Sequence, residues 1–149
     1  MKRLLIVLFL LISSSILLFA DNWVAIKAGI GNETAGFGGA LEIKVNRGGF
    51  VFGIGSINNS LRLSTSGKYY LVLNEENSIF LSLGYGTIVF DEEFGLEEYS
   101  IYGPFLMLGT SISSGRGLGE TSLGISYSHD RRSIMLAIQA SLGFIFQIF

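Results

Sequence analysis

The chain has no cysteine, a single histidine and a single proline. Without cysteine it has no disulfides and no route to a lipid anchor attached through a cysteine, and with one histidine it offers no ligand set for a zinc or redox centre. We therefore expect neither a metal nor a cofactor. A positive charge excess is also missing, because the net charge is −2. This balance gives no basic surface for nucleic acid.

The amino terminus has the layout of a secretory signal peptide. Lys2 and Arg3 precede an apolar stretch over residues 4–12, and Ala20 provides a small residue for cleavage before Asp21. We therefore predict a signal peptide over the first 20 residues. The alternative is that the same segment stays uncleaved as a short membrane anchor.

Residues 21–149 form the rest of the chain, and their 129 residues (149 − 20) suffice for one domain. All 20 glycines fall in this part, and the mean hydropathy of the chain is +0.52. No apolar run after residue 20 approaches the ~18 residues of a membrane helix. Hydrophobicity spread over short segments fits a membrane protein only as a closed β-barrel, because an open sheet edge cannot be satisfied in lipid.

Alternating apolar and polar residues indicate β-strands, separated by stretches rich in Gly, Asn, Ser and charged residues. Eight strands are predicted, an even number as bacterial barrels require: 23–30, 37–46, 50–57, 63–73, 78–90, 103–113, 121–128 and 133–149. With a periplasmic N-terminus, the turns at 46–49, 74–77 and 113–120 face the periplasm. The connections at 31–36, 58–62, 91–102 and 129–132 then face outward.

One phase of every predicted strand is rich in large apolar residues, as a lipid-facing surface requires. The opposite phase carries polar side chains and many glycines, among them Gly53, Gly55, Gly84 and Gly109. We attribute these inward glycines to barrel curvature, and the alternative is that they open a pocket for an acyl chain. A soluble, lipocalin-like ligand-binding barrel in the periplasm would turn the same alternation inside out. Its outer face would then consist mostly of Gly, Ser and Ala, which weaken solvated strands.

Several short elements resemble the small eight-stranded outer-membrane barrels of the OmpA and OmpX type. They are the signal peptide, the segment Lys68-Tyr69-Tyr70-Leu71 before a tight turn, Leu83-Gly84-Tyr85-Gly86 after it, and the terminal Phe149. The resemblance covers residues 21–149. It implies an all-β, eight-stranded, antiparallel, up-and-down transmembrane barrel in an outer membrane, with Phe149 as the signal recognised by the barrel-assembly machinery.

The predicted interior contains four charged residues, Lys27, Glu42, Lys44 and Lys68. An eight-stranded barrel is just wide enough for side chains to fill it, and buried charges must be paired. We expect Lys27 and Glu42 to form a pair on neighbouring strands. The set is then a structural polar plug, and the alternative is a proton or ion pathway.

Two further groups of residues lie in predicted outer loops. An acidic loop contains Asp91, Glu92, Glu93, Glu97 and Glu98, which is typical of solvated loop charge and alternatively could hold a divalent cation. The only histidine, His129, follows Ser126 and Ser128 near the rim. A Ser, His and acid set there would be needed for a lipid-modifying enzyme, but adjacent positions do not supply that geometry.

Together these features predict a non-enzymatic outer-membrane barrel without catalytic residues. Its expected role is structural or interactive, in adhesion or envelope stability, through the outer loops. The expected partners are membrane lipid, the assembly machinery and an unidentified surface partner, and the expected state is a monomer. The lipid-modifying enzyme and the soluble ligand-binding barrel remain the alternatives.

Overall fold

The computed structural model describes residues 22–57, 60–73, 76–90, 102–129 and 132–147. The predicted signal peptide, the acidic loop residues and Phe149 lie outside the described residues. Eight strands are present: β1 Trp23–Gly31, β2 Gly36–Val45, β3 Gly48–Ile57, β4 Ser60–Leu73, β5 Asn77–Phe90, β6 Tyr102–Ser114, β7 Gly117–Ser128 and β8 Ser133–Gln147.

The strands form one closed antiparallel barrel in chain order. Each strand pairs with the next, and β1 pairs with β8 over a register that runs from Trp23 opposite Gln147 to Ile30 opposite Ala140. Closure leaves no unpaired sheet edge, which is the condition for strands to cross a membrane. The predicted fold class, an all-β eight-stranded antiparallel barrel, is confirmed. In the described residues no helix is long and apolar enough to cross a membrane.

The alternation predicted from the sequence sets the two faces of the barrel. Every strand exposes large apolar side chains on the outside, such as Ile26, Phe52, Leu83 and Leu108. Polar and small side chains fill the inside together with a few large apolar ones. A barrel with this outer surface is suited to lipid rather than to water, so the soluble ligand-binding alternative does not fit the structure.

Two tight turns close the hairpins at one end of the barrel. Val45 pairs with Gly48 and Ser114 pairs with Gly117, so each turn has only two central residues. Asn46 (φ 53°) and Gly115 (φ 59°) adopt the left-handed conformation that such turns need. The prediction of a long turn over 113–120 was therefore wrong. β7 begins four residues earlier than predicted, and its first residues extend the sheet.

Irregular pairings occur where the sequence disturbs the ladder. The register between β6 and β7 shifts between Tyr102 and Phe105. Pro104 lies within this interval and has no N–H to donate, so the missing ladder bond is confined to the start of the strand. The register between β4 and β5 also shifts, between Leu63 and Ser64 and between Tyr70 and Val72. Shifts of this kind are typical of β-bulges, which bend and twist a strand locally.

Candidate functional site

The interior of the barrel contains a cluster of five charged side chains. Lys27 comes from β1, Glu42 from β2, Lys68 from β4 and Glu120 from β7, each at an inward-facing position of its strand. The fifth, Glu33, comes from the connection between β1 and β2. All five are buried, so we refer to them as the ion-pair cluster.

Both lysines of the cluster contact all three carboxylates. The Nζ of Lys27 lies 2.7 Å from Glu42 Oε2, 2.6 Å from Glu120 Oε2 and 3.3 Å from Glu33 Oε2. The Nζ of Lys68 lies 3.0 Å from the Oε2 atoms of Glu33 and Glu42 and 2.8 Å from that of Glu120. Three carboxylate oxygens therefore lie between two ammonium groups, and each ammonium has three acceptors for its three protons. The ion pair predicted between Lys27 and Glu42 is present.

Uncharged side chains donate further hydrogen bonds to two of the carboxylates, those of Glu33 and Glu42. The hydroxyl of Tyr70 donates to Glu42 Oε1 at 2.6 Å, and the hydroxyl of Ser82 donates to Glu33 Oε1 at 2.6 Å. The amide of Gln139 donates to Glu33 Oε2 at 2.9 Å. Hydrogen bonds of this kind compensate the loss of water that burial imposes on a carboxylate.

The connection between β1 and β2 folds into the barrel instead of facing outward. Glu33 and Thr34 are 1% and 0% exposed, whereas the sequence predicted an outward loop over 31–36. Glu33 is held at both ends, because its backbone N–H donates to Gln139 Oε1 at 2.8 Å and its carbonyl accepts from Ser64 at 2.8 Å. We call residues 32–35 the plug segment, since they occupy the interior above the ion-pair cluster.

Inward-facing glycines make room for the plug segment. A Cβ at Gly53 would overlap the carbonyl oxygen of Glu33, and a Cβ at Gly55 would overlap that of Thr34. The sequence predicted that these glycines serve barrel curvature. The structure shows a more direct reason, which is the space that the plug segment needs. Elsewhere Gly84 gives space to an aromatic ring, that of Phe105.

The cluster controls the ionisation of Glu33. Burial by itself raises the pKa of a carboxyl group, but the ammonium groups of Lys68 and Lys27 and the hydroxyl of Ser82 outweigh it and lower the pKa of Glu33 to about 2. The plug segment therefore carries a carboxylate over the whole physiological pH range. Its charge is part of what holds the segment inside.

The same oxygens of Glu33, Glu42 and Glu120 lie within 4.8 Å of one another and form a potential set of metal ligands. Two ammonium groups already contact all three of them. Five formal charges then sum to −1, from two lysines and three glutamates. The arrangement is therefore suited to crosslinking the inner wall, from β1, β2, β4 and β7, to the plug segment.

Lys44, the fourth charged residue predicted for the interior, is also buried. Its Nζ is 5.3 Å from the ring centroid of Tyr70 and 5.8 Å from that of Trp23. These are cation–π distances. Apolar side chains fill another part of the interior, where Phe105, Met107 and Ala137 form a buried cluster.

The candidate lipase-type residues lie on different faces of the sheet. Ser126 and Ser128 are buried on the inner face. The ring of His129 contacts the rings of Tyr127 and Tyr85, at centroid distances of 5.2 and 6.1 Å, and Tyr85 is an exposed residue of the outer face. The predicted acidic loop residues and Phe149 lie outside the described residues.

Two members of the ion-pair cluster were not predicted from the sequence. Glu120 was placed in a turn, although it continues the inward phase of Ser122, Gly124 and Ser126, and that phase was the available signal. Glu33 was placed in an outer loop. The signal for it was weaker and consisted of the glycines at both ends of its connection, Gly31 and Gly36.

No protein-family model matches the chain, and no curated protein is similar to it in sequence. Among solved structures, the chain is similar to the backbone structure of the outer membrane protein Ail of Yersinia pestis in a phospholipid bilayer nanodisc. The similarity covers 85% of this chain and 100% of the Ail chain, with 17% identity and a TM-score of 0.44. The closed strand order and the apolar outer face of the chain itself identify it as a small eight-stranded antiparallel membrane β-barrel.

Proposed function

We propose that the protein is a sealed, non-enzymatic barrel of an outer membrane with a structural or surface-interaction role, in adhesion or envelope stability. The observation that supports it best is the combination of an apolar outer face with an interior filled by the ion-pair cluster and the plug segment. In this proposal residues 1–20 are a signal peptide cleaved before Asp21. Residues 21–149 are the barrel, which acts as a monomer.

The height of the apolar outer face supports placement in a membrane. On β8 the exposed apolar residues run from Ile134 to Phe146, which is about 40 Å along a strand at ~3.4 Å per residue. At a strand tilt of ~45° this corresponds to about 28 Å, close to the ~25 Å apolar band of outer-membrane barrels. Phe149, two residues after the last described strand, is then the proposed signal for the assembly machinery.

The filled interior supports a role that does not involve conduction. Lys27, Lys68 and the three glutamates link four strands across the barrel, and the plug segment lies on top of them. In a sealed barrel of this kind, the loops are the surface that meets a partner outside the membrane. The connection 91–101, between β5 and β6, contains five acidic residues and no Lys or Arg, and we propose it as the surface that contacts a partner.

Envelope fractionation followed by electrophoresis of unboiled and boiled samples tests the membrane assignment. We expect recovery in the outer membrane and a mobility shift on boiling, because a folded barrel migrates differently from an unfolded one. Recovery in the aqueous fraction would contradict the proposal. Purified protein in planar bilayers should show no stable conductance, and a steady open channel would contradict the sealed interior.

Replacement of residues 91–101 by a short Gly/Ser linker tests the surface role. We expect the variant to keep its mobility shift and to lose adhesion or envelope resistance in cells. A matched variant with Gln or Asn at the five acidic positions separates the contribution of charge from that of loop length. Full function in both variants would show that this loop is not the interaction surface.

The non-enzymatic assignment has its own test. Folded protein incubated with phospholipid should release no fatty acid, and His129→Ala should be indistinguishable from the wild type. Lipid hydrolysis that disappears in His129→Ala would instead support the lipid-modifying enzyme.

A further inference from the structure

The outer face of the barrel contains a groove of about 430 Å³ that crosses β1, β6, β7 and β8. Its volume falls within the roughly 300–1,000 Å³ of small-molecule sites. Most of its lining residues are exposed on the outer face, and small residues such as Ala28 and Ala140 are among them. Glu120 of the ion-pair cluster also belongs to the lining, but its side chain is buried. Ile112 and Leu142, both exposed, belong to its lining.

The groove exists because small residues align across neighbouring strands. Thr110 pairs with Thr121, and Thr121 pairs with Ala140. Ala28 of β1 and Gly119 of β7 also line the groove. Most other exposed positions of the outer face carry Ile, Leu, Phe or Tyr. The groove is therefore a depression that is continuous with the lipid-facing surface.

Two hydroxyl groups belong to the lining of this groove. The Oγ1 atoms of Thr110 and Thr121 are 3.3 Å apart, and one hydrogen bond between them uses only one of their two hydrogens. In lipid the other hydrogen requires an acceptor, because water is not available there. An ester carbonyl of a lipid provides such an acceptor.

A cation lies at the end of the groove nearest the tight turns. Arg116 is exposed in the turn between β6 and β7, and its Cζ is 6.0 Å from the ring centroid of Phe144. Phe144 is exposed on the outer face two residues along β8 from Leu142 of the groove. The guanidinium therefore leans over the outer surface, about 10 Å along the strand from Gly119 in the groove.

We propose that this groove binds one anionic phospholipid from the leaflet at the tight-turn end, with an acyl chain in the groove and the phosphate at Arg116. The inference rests on the proposed insertion of the barrel in a membrane. Arginine is suited to phosphate because its planar group forms paired hydrogen bonds. A second copy of the chain fits less well, since a two-fold contact would place one depression against another.

Native mass spectrometry of the detergent-extracted protein tests the proposal, with phosphatidylglycerol and phosphatidylcholine of identical acyl chains as probes. We expect the wild type to bind phosphatidylglycerol more tightly, by about fivefold for one arginine near an anionic head group. Arg116→Gln should lose this preference and keep residual binding of both lipids. Ala140→Leu fills the groove and should weaken both.

Matched controls exist for each variant. Arg47→Gln removes an exposed arginine from another turn at the same end, and Thr65→Leu enlarges an exposed outward residue on β4. Neither should change binding. Equal affinity of the wild type for both lipids, or equal effects of the controls, would overturn the proposal. A change of oligomeric state in Ala140→Leu would assign the groove to a second copy and would overturn it as well.

The mobility shift on boiling and insertion into lipid vesicles, measured for every variant, distinguish failure of the lipid site from failure of the proposed function. A folded barrel that enters lipid vesicles and shows no lipid preference refutes only the lipid site. Failure of the wild type to enter vesicles refutes the proposed function itself.

Discussion

At the residue scale, the stability of the ion-pair cluster depends on two ammonium groups that contact three carboxylates. Breaking a buried ion pair leaves an uncompensated charge and costs about 3–5 kcal/mol. The cost depends on which partner is removed. Two ammonium groups serve three carboxylates here, so the loss of a lysine and the loss of a glutamate are not equivalent.

Lys68→Met should destabilise the barrel by about 3–5 kcal/mol, because three carboxylates then remain with one ammonium group. Glu120→Gln should cost only about 1 kcal/mol, since it leaves two ammonium groups and two carboxylates and keeps the size of the side chain. Urea titration in lipid vesicles gives the free energy of unfolding of each variant. Equal losses in the two variants would contradict this account of the charge balance.

The contribution of Glu33 to stability depends on pH. Its pKa is about 2 in the folded protein and its ordinary value is 4.5. A lowered folded-state pKa means that the stabilisation is complete above pH 4.5 and is lost as the pH falls from 4.5 towards 2. The difference in unfolding free energy between the wild type and Glu33→Gln should therefore shrink over this interval, by on the order of 3 kcal/mol.

This pH dependence is measured by the same urea titrations at several pH values between 4.5 and 2. Glu120→Gln is the matched control, because it keeps Glu33 with its uncharged donors, Ser82 and Gln139, and should therefore lose stability over the same interval as the wild type. A difference between wild type and Glu33→Gln that stays constant down to pH 2 would show that Glu33 does not depend on the lysines.

At the element scale, the plug segment depends on a glycine in a neighbouring strand. Gly53→Ala should displace residues 32–35, because the added Cβ overlaps the carbonyl oxygen of Glu33. In the background of Thr34→Cys, the only thiol of the chain should be protected from a water-soluble maleimide and should become reactive when Gly53→Ala is added. The mass that the maleimide adds to the protein, measured by mass spectrometry, gives the extent of labelling.

Gly86→Ala is the control for this substitution. Gly86 also faces inward, but a Cβ there meets the ring of Phe105 at an ordinary 3.8 Å. It should leave the thiol protected. Fast labelling of the Thr34→Cys protein itself would show that the plug segment does not stay inside the barrel.

The elements differ in how far the sequence predicts them. Period-two alternation predicted all eight strands and their facing, since the apolar phase is continuous in each. β7 was predicted to start at residue 121 because residues 113–120 are rich in Gly and Ser. Gly115, with φ 59°, allows a two-residue turn instead, and this returns Glu120 to the sheet opposite Ser111 and Ser141.

The plug segment is the element that alternation could not predict. Its position depends on contacts with residues far along the chain, such as Ser64, Ser82 and Gln139. A polar connection with glycines at both ends is typical of a solvated loop. Only the three-dimensional arrangement shows that inward glycines on β3 leave space for it.

At the scale of the whole molecule, the barrel is inverted relative to a soluble protein. Its exposed surface is aliphatic and aromatic, and its buried residues include two lysines and three glutamates that contact one another. The large apolar side chains of the strands are therefore concentrated on the outside. An environment that solvates this surface must be apolar. The cost in unfolding free energy of a charged substitution should therefore depend on the position of the residue along the strand.

Leu83→Arg should cost about 2–4 kcal/mol in unfolding free energy, because Leu83 is exposed near the middle of β5 and a cation at the bilayer midplane is expensive. Ile79→Arg lies on the same face close to the tight-turn end of that strand and should cost only about 0–1 kcal/mol. Urea titrations in lipid vesicles measure both values. In an aqueous barrel neither arginine would be penalised, so equal and small effects at the two heights would refute the lipid-facing surface. A larger loss of unfolding free energy at Leu83 than at Ile79 would show which part of β5 lies in the middle of the membrane.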